Sequence, residues 1–140
     1  MKQTVRLDAL RHVGLFKGMS KRSLAKINQL SDVRAVAEGE VIVAEGDPGS
    51  DAMVVLEGTA TVRRGNRKIS ELTVGHVFGE MALLDREPRS ATVTADESMQ
   101  LLVIRGAEFR KLITKVPGLA DALLATLSRR LREADAVNDV

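Results

Sequence analysis

The chain has 140 residues, room for one domain with a real core, and its composition (44% hydrophobic, 29% charged) is that of an ordinary soluble globular protein. The net charge is only +2, lysine and arginine are interspersed with Asp and Glu nearly everywhere, and the aromatics are Phe16, Phe78 and Phe109 alone. The cationic stripe and stacking platforms of a nucleic-acid binder are therefore not expected.

The absence of cysteine excludes disulfides, thiolate catalysis and cysteine metal sites. The longest apolar runs are short, such as Met53-Val54-Val55-Leu56 and Leu101-Leu102-Val103-Ile104, so no transmembrane helix is expected. Met1 to Arg6 is too polar for a signal peptide, and the expected location is cytoplasmic.

In chain order, residues 7–30 read as helical, broken at Gly18, with Ser20 as N-cap for a helix over Lys21 to Leu30. From Val33 the pattern becomes short and β-rich. The predicted strands are Val33–Ala37, Val41–Val43, Ala52–Leu56, Thr59–Arg64, Lys68–Thr73, Val77–Phe78, Ala91–Ala95 and Met99–Ile104. Glycine-bearing turns separate many of them, and few gaps are long enough for a crossover helix. That favours a sandwich or jelly roll over a parallel sheet. After Gly106 helical periodicity returns. Ala107–Val116 forms one helix, Pro117-Gly118 stops it, and Leu119, Leu123, Leu127 and Leu131 mark a last amphipathic helix to about Ala134, with Ala120 and Leu124 beside the stripe. The stripe serves either the core or a dimer contact.

The fold expected is mainly β with flanking α: an eight-stranded jelly roll (double-stranded β-helix) with an N-terminal helical segment and two C-terminal helices. Residues 1–140 are read as a single domain, with helices at about 5–30, the roll at about 33–105 and the last helices at about 106–135.

One stretch carries chemistry. Phe78-Gly79-Glu80-Met81-Ala82-Leu83-Leu84 reads as a glycine-led helical turn at about 79–84, and Pro88-Arg89-Ser90-Ala91-Thr92 follows closely. Free backbone N–H groups at the start of such a turn favour an anion, and an arginine clamps an anion through paired hydrogen bonds. Glu80 stands too close to help that anion and is expected to accept from a neutral hydroxyl of the same ligand. A ligand with one phosphate, one sugar hydroxyl and an apolar end fits.

Residues of about 14 to 133 resemble the cyclic-nucleotide-binding domain of bacterial catabolite activators, protein-kinase regulatory subunits and nucleotide-gated channels. The resemblance is carried by the two segments just quoted, through Val93, and supported by Leu15-Phe16, Gly46-Asp47 and Gly58. It implies that Glu80 accepts from the ribose 2′-hydroxyl, that Arg89 pairs with the cyclic phosphate and that Ser90 donates to the phosphate or the purine. It also implies an anion cradle of backbone N–H groups near Gly79, Met81, Ala82 and Ala91, with Phe78 leading the segment and the base lying along Val62, Ile69 and Leu72. Arg129 or Arg132 could stack over the base as its cap. His76 stands where the family often has Asp, and a surface-loop histidine is the simpler reading than a metal ligand or base. Only one other histidine, His12, exists, so the several histidines of a cupin-type enzyme are missing.

The expectation is a non-enzymatic, stand-alone sensor of cyclic AMP, with cyclic GMP less favoured, signalling through the C-terminal helix to a protein partner not identified by the sequence. No catalytic set, metal or cofactor is expected, nor direct DNA binding or membrane insertion, and the chain is expected to be a monomer or a weak homodimer through its last helix. The rival readings are a nucleotide-independent β-roll interaction module and a regulatory fragment of a larger channel or transcription regulator.

Overall fold

A computed structural model describes residues 8–79 and 87–138, without the side chains of 130 and 133–138. Its helical entry runs through residue 11 to a 3₁₀ turn at Gly14–Phe16 and then helix α1, Lys21–Gln29. The cap is as expected: Ser20 Oγ accepts from the Ser23 amide at 3.1 Å, satisfying one of the donors that a helix start leaves open. Eight strands follow. They are β1 (Asp32–Val36), β2 (Val41–Val43), β3 (Ala52–Glu57), β4 (Ala60–Arg64), β5 (Arg67–Leu72), β6 (Val77–Phe78), β7 (Thr92–Ala95) and β8 (Met99–Ile104). Helices α2 (Gly106–Lys115) and α3 (Leu119–Asn138) close the order.

Each strand boundary falls within one residue of the sequence expectation. Helix α3 runs past Ala134, because the expected end rested on where the leucines stop. No Gly or Pro follows to end the helix, and a helix can continue without an apolar stripe.

The strands form two four-stranded antiparallel sheets, ordered β1-β8-β3-β6 and β2-β7-β4-β5. Strict alternation divides the first sheet's side chains between two cores. Met53, Val55, Phe78, Met99 and Leu101 face the second sheet and meet Ile42, Ala60, Val93 and Ala95 there. Ala52, Val54, Leu56, Leu102 and Ile104 face the other way, onto Leu10, Phe16, Ile27, Phe109, Leu112 and Leu119 of the helical layer. Among the described residues no helix covers the second sheet in this way, and β5 is exposed almost throughout. This places a covered sheet behind a one-sided sheet, with the loops that join them at the rim. Among the described residues no helix is long and apolar enough to cross a membrane.

Candidate functional site

The rim loop at 46–51 and the segment around Arg89 hold each other through their backbones. The Gly46 amide donates to the Arg89 carbonyl at 2.8 Å, and the Arg89 amide donates to the Asp47 carbonyl at 2.9 Å. The Arg89 side chain then turns inward, leaving the residue 8% exposed. Its guanidinium donates from Nη1 to the Gly79 carbonyl and from Nη2 to the Asp51 carbonyl, both at 3.1 Å.

Two glycines make room for it. A Cβ on Gly49 would collide with Arg89 Nε and stand 2.7 Å from Nη2. Gly79 has φ +82°, and a Cβ there would lie 2.7 Å from both Arg89 Nη1 and the Asp51 carbonyl oxygen. Only glycine adopts that backbone without strain and lets the guanidinium pass so close.

Burial lowers the Arg89 pKa from its ordinary value, and the charge of nearby Asp51 opposes that shift. An arginine stays protonated regardless. Its two partners are neutral carbonyls, and among the described residues it forms no ion pair with a carboxylate. Two of its N–H donors are used; the other three have no acceptor among the described residues. A positioned, desolvated guanidinium in that state favours an oxyanion, which supplies both the missing charge and the missing acceptors.

The flanking residues are tied down from both sides. Arg64 Nε donates to the Ser90 carbonyl at 3.1 Å, the Glu45 amide donates to Thr92 Oγ1 at 2.9 Å, and the Gly65 amide donates to Glu45 Oε1 at 2.8 Å. The β4–β5 turn and the corner after β2 thus brace the segment 89–92. Ser90 itself is exposed and Ala91 half-buried.

Of the apolar residues expected beside a base, Val62 and Leu72 are half-buried against the inter-sheet core. Ile69 differs. The pairing of β4 with β5 skips it between Val62–Ser70 and Arg63–Lys68, so it is the extra residue of a β-bulge and stands 45% exposed. Phe78 is buried between the sheets rather than at the rim. Arg129 and Arg132 are exposed on α3, which packs on the 3₁₀ turn and α2, and neither makes a hydrogen bond or ion pair to the rim among the described residues. Glu80, Met81, Ala82 and the helical turn expected at 79–84 lie outside the described residues after Gly79.

His76 is exposed, and its Nδ1 accepts from the Thr73 amide at 2.8 Å. That is the turn-closing acceptor role an aspartate would fill, which explains how histidine can stand there. Among the described residues no group of three or more His, Asp or Glu side chains could hold a metal ion.

Sequence reading missed Gly49, Asp51, Glu45 and Arg64 as site-builders. The two glycines of Gly46-Asp47-Pro48-Gly49 were a visible signal; the carbonyl of Asp51 left none.

Residues 33–116, from β1 to the end of α2, match the family profile described as cyclic nucleotide-binding domain. The chain belongs to this family. A cyclic nucleotide-gated potassium channel of Mesorhizobium japonicum is 38% identical over 89% of this chain and 35% of its own. The cyclic AMP receptor protein of Thermus thermophilus is 34% identical over 90% of this chain and 61% of its own. Among solved structures, cAMP-bound PfPKA-R superposes with a TM-score of 0.86 at 26% identity, covering 98% of this chain and 48% of that one. The chain spans from about a quarter to three fifths of the length of the curated relatives it matches, a cyclic nucleotide-binding domain in proteins with further parts. Those relatives are channels, kinase regulatory subunits and a receptor protein, so the domain's relatives are regulatory.

Proposed function

We propose that this domain is a cyclic-nucleotide sensor whose ligand is cyclic AMP in preference to cyclic GMP. The observation that carries the reading is the buried Arg89 guanidinium, held by two carbonyls, with no acceptor for its other three N–H donors among the described residues. A cyclic phosphate is a singly charged oxyanion that such a group can pair with. Ser90, Ala91 and the amides after Gly79 complete the phosphate side in this reading, and Glu80 takes the ribose hydroxyl. Val62 and Leu72 offer the apolar wall for the base, with the bulged Ile69 free to fold over it. The preference for cyclic AMP is supported by relatives named for that nucleotide.

The role is regulatory rather than catalytic. Binding shifts the population of α3 positions, and α3, resting on the Gly14–Phe16 turn and on α2, passes the change to a protein partner.

Calorimetric titration with cyclic AMP, cyclic GMP and cyclic CMP tests the reading. Cyclic AMP binds most tightly. Arg89→Ala weakens it by about 2–4 kcal/mol, and Glu80→Gln by less, since the amide keeps one acceptor. An unchanged affinity in Arg89→Ala removes the phosphate assignment. No heat and no thermal shift with any of the three nucleotides favours the nucleotide-independent module instead.

A further inference from the structure

The even spread of charge suggested by the whole composition does not hold at the N-terminus. Residues 1–31 contain seven Lys and Arg (Lys2, Arg6, Arg11, Lys17, Lys21, Arg22, Lys26) against Asp8 alone, a net +6. The chain total of +2 leaves −4 for everything after residue 31. From residue 9 to residue 31 there is no Asp or Glu at all. Arg11, Lys17, Lys21, Arg22 and Lys26 are all exposed, and none forms an ion pair with a carboxylate among the described residues. By contrast, Arg34, Lys68 and Lys111 elsewhere each have a carboxylate within 4 Å.

This basic lobe also has a concavity. A groove of about 380 Å³ is lined by Arg11, Phe16, Gly18, Met19, Lys21 and Leu24. Phe16 and Leu24 are core residues that show only an edge to it, Met19 is half-buried, and Arg11 and Lys21 are exposed at its margin. The apolar floor has a cationic margin, in a stretch of sequence whose net charge is opposite in sign to that of the remainder.

We propose that this groove docks an acidic protein segment, one that seats an apolar side chain on Phe16, Met19 and Leu24 while its carboxylates meet Arg11 and Lys21. Charge complementarity selects the sign of the partner, since a basic segment would face an unrelieved row of cations. The concave apolar floor selects a projecting side chain over a flat anionic surface. A lipid headgroup layer or a nucleic-acid backbone would satisfy the cations but leave the floor unfilled. No exposed aromatic residue is present in the lobe to enter a bilayer, Phe16 being buried. The groove does not involve Arg89, so its occupant and a nucleotide need not compete.

The test uses the full chain and a fluorescein-labelled peptide with a Leu–Phe pair flanked by glutamates, read by anisotropy. The peptide binds at low salt and weakens about tenfold between about 50 mM and about 200 mM salt. The double variant Arg11→Glu with Lys21→Glu loses at least about tenfold in affinity. Because both residues are exposed, its melting temperature stays near that of the parent, which separates loss of docking from loss of fold. Replacing the peptide's Leu–Phe pair with serines also removes binding. The proposal is overturned if the acidic peptide does not bind, if a lysine version or the serine version binds equally, or if the double variant binds as well as the parent. Co-sedimentation with phosphatidylglycerol vesicles in place of peptide binding overturns it in favour of a membrane surface.

Discussion

Arg89 depends on what is missing from its neighbours as much as on what they provide. Gly49 has no side chain to donate or accept and no left-handed backbone; its role is to leave space beside Nε and Nη2. Adding a methyl group there meets only the far end of a flexible side chain, so the fold can yield by moving the guanidinium. Gly49→Ala is therefore expected to change stability by less than about 1 kcal/mol while displacing Arg89 from the Gly79 and Asp51 carbonyls. Cyclic AMP affinity should fall about tenfold or more, the cost of a misplaced charge-assisted bond. Paired denaturation and calorimetry check this, and equal losses in both would refute the separation. Arg89 and Gly79 were legible because the motif requires those residue types in that spacing. Gly49 was legible only as part of a turn, and nothing in the sequence marked Asp51. A carbonyl acceptor is common to all residues, so no side-chain pattern announces it.

At the scale of the element, α3 shows how a periodic signal can be right about the helix and incomplete about its face. Leucines four apart advance about 400° per step, roughly 40° beyond a full turn. From Leu119 to Leu131 that drift reaches about 120°. Leu119 and Leu123 are accordingly buried, Leu127 is half-buried, and Leu131 is 63% exposed. Leu124, offset about 140° from Leu119, shares that outer side at 64% exposure. The choice left open by the sequence thus divides along the helix: the first part of the stripe is core, and the last is not. Leu123→Ala is expected to cost about 2–5 kcal/mol, whereas Leu131→Ala stays within about 0.5 kcal/mol, both read from urea denaturation midpoints. A comparable loss for Leu131→Ala at low protein concentration would show that it has a packing partner within the monomer.

For the molecule as a whole, the strands were legible one by one but their order was not. Short β-rich runs and glycine turns locate strands locally, whereas β1 pairing with β8 joins residues at opposite ends of the roll. Only tertiary packing selects that partner. The continuous apolar run Met53-Val54-Val55-Leu56 did carry a hint, since a strand covered on both faces has no need to alternate. Strand β3 is that strand: bonded to β8 on one edge and β6 on the other, with the helical layer on one face and the second sheet on the other. Its paired amides can reach solvent only when the whole domain opens, whereas those of edge strand β5 are released by local fraying. Deuterium uptake in β3 therefore measures global stability. At about 100 times its Kd, a bound nucleotide should slow exchange there about a hundredfold. The deepest strand becomes the molecule's own reporter of occupancy.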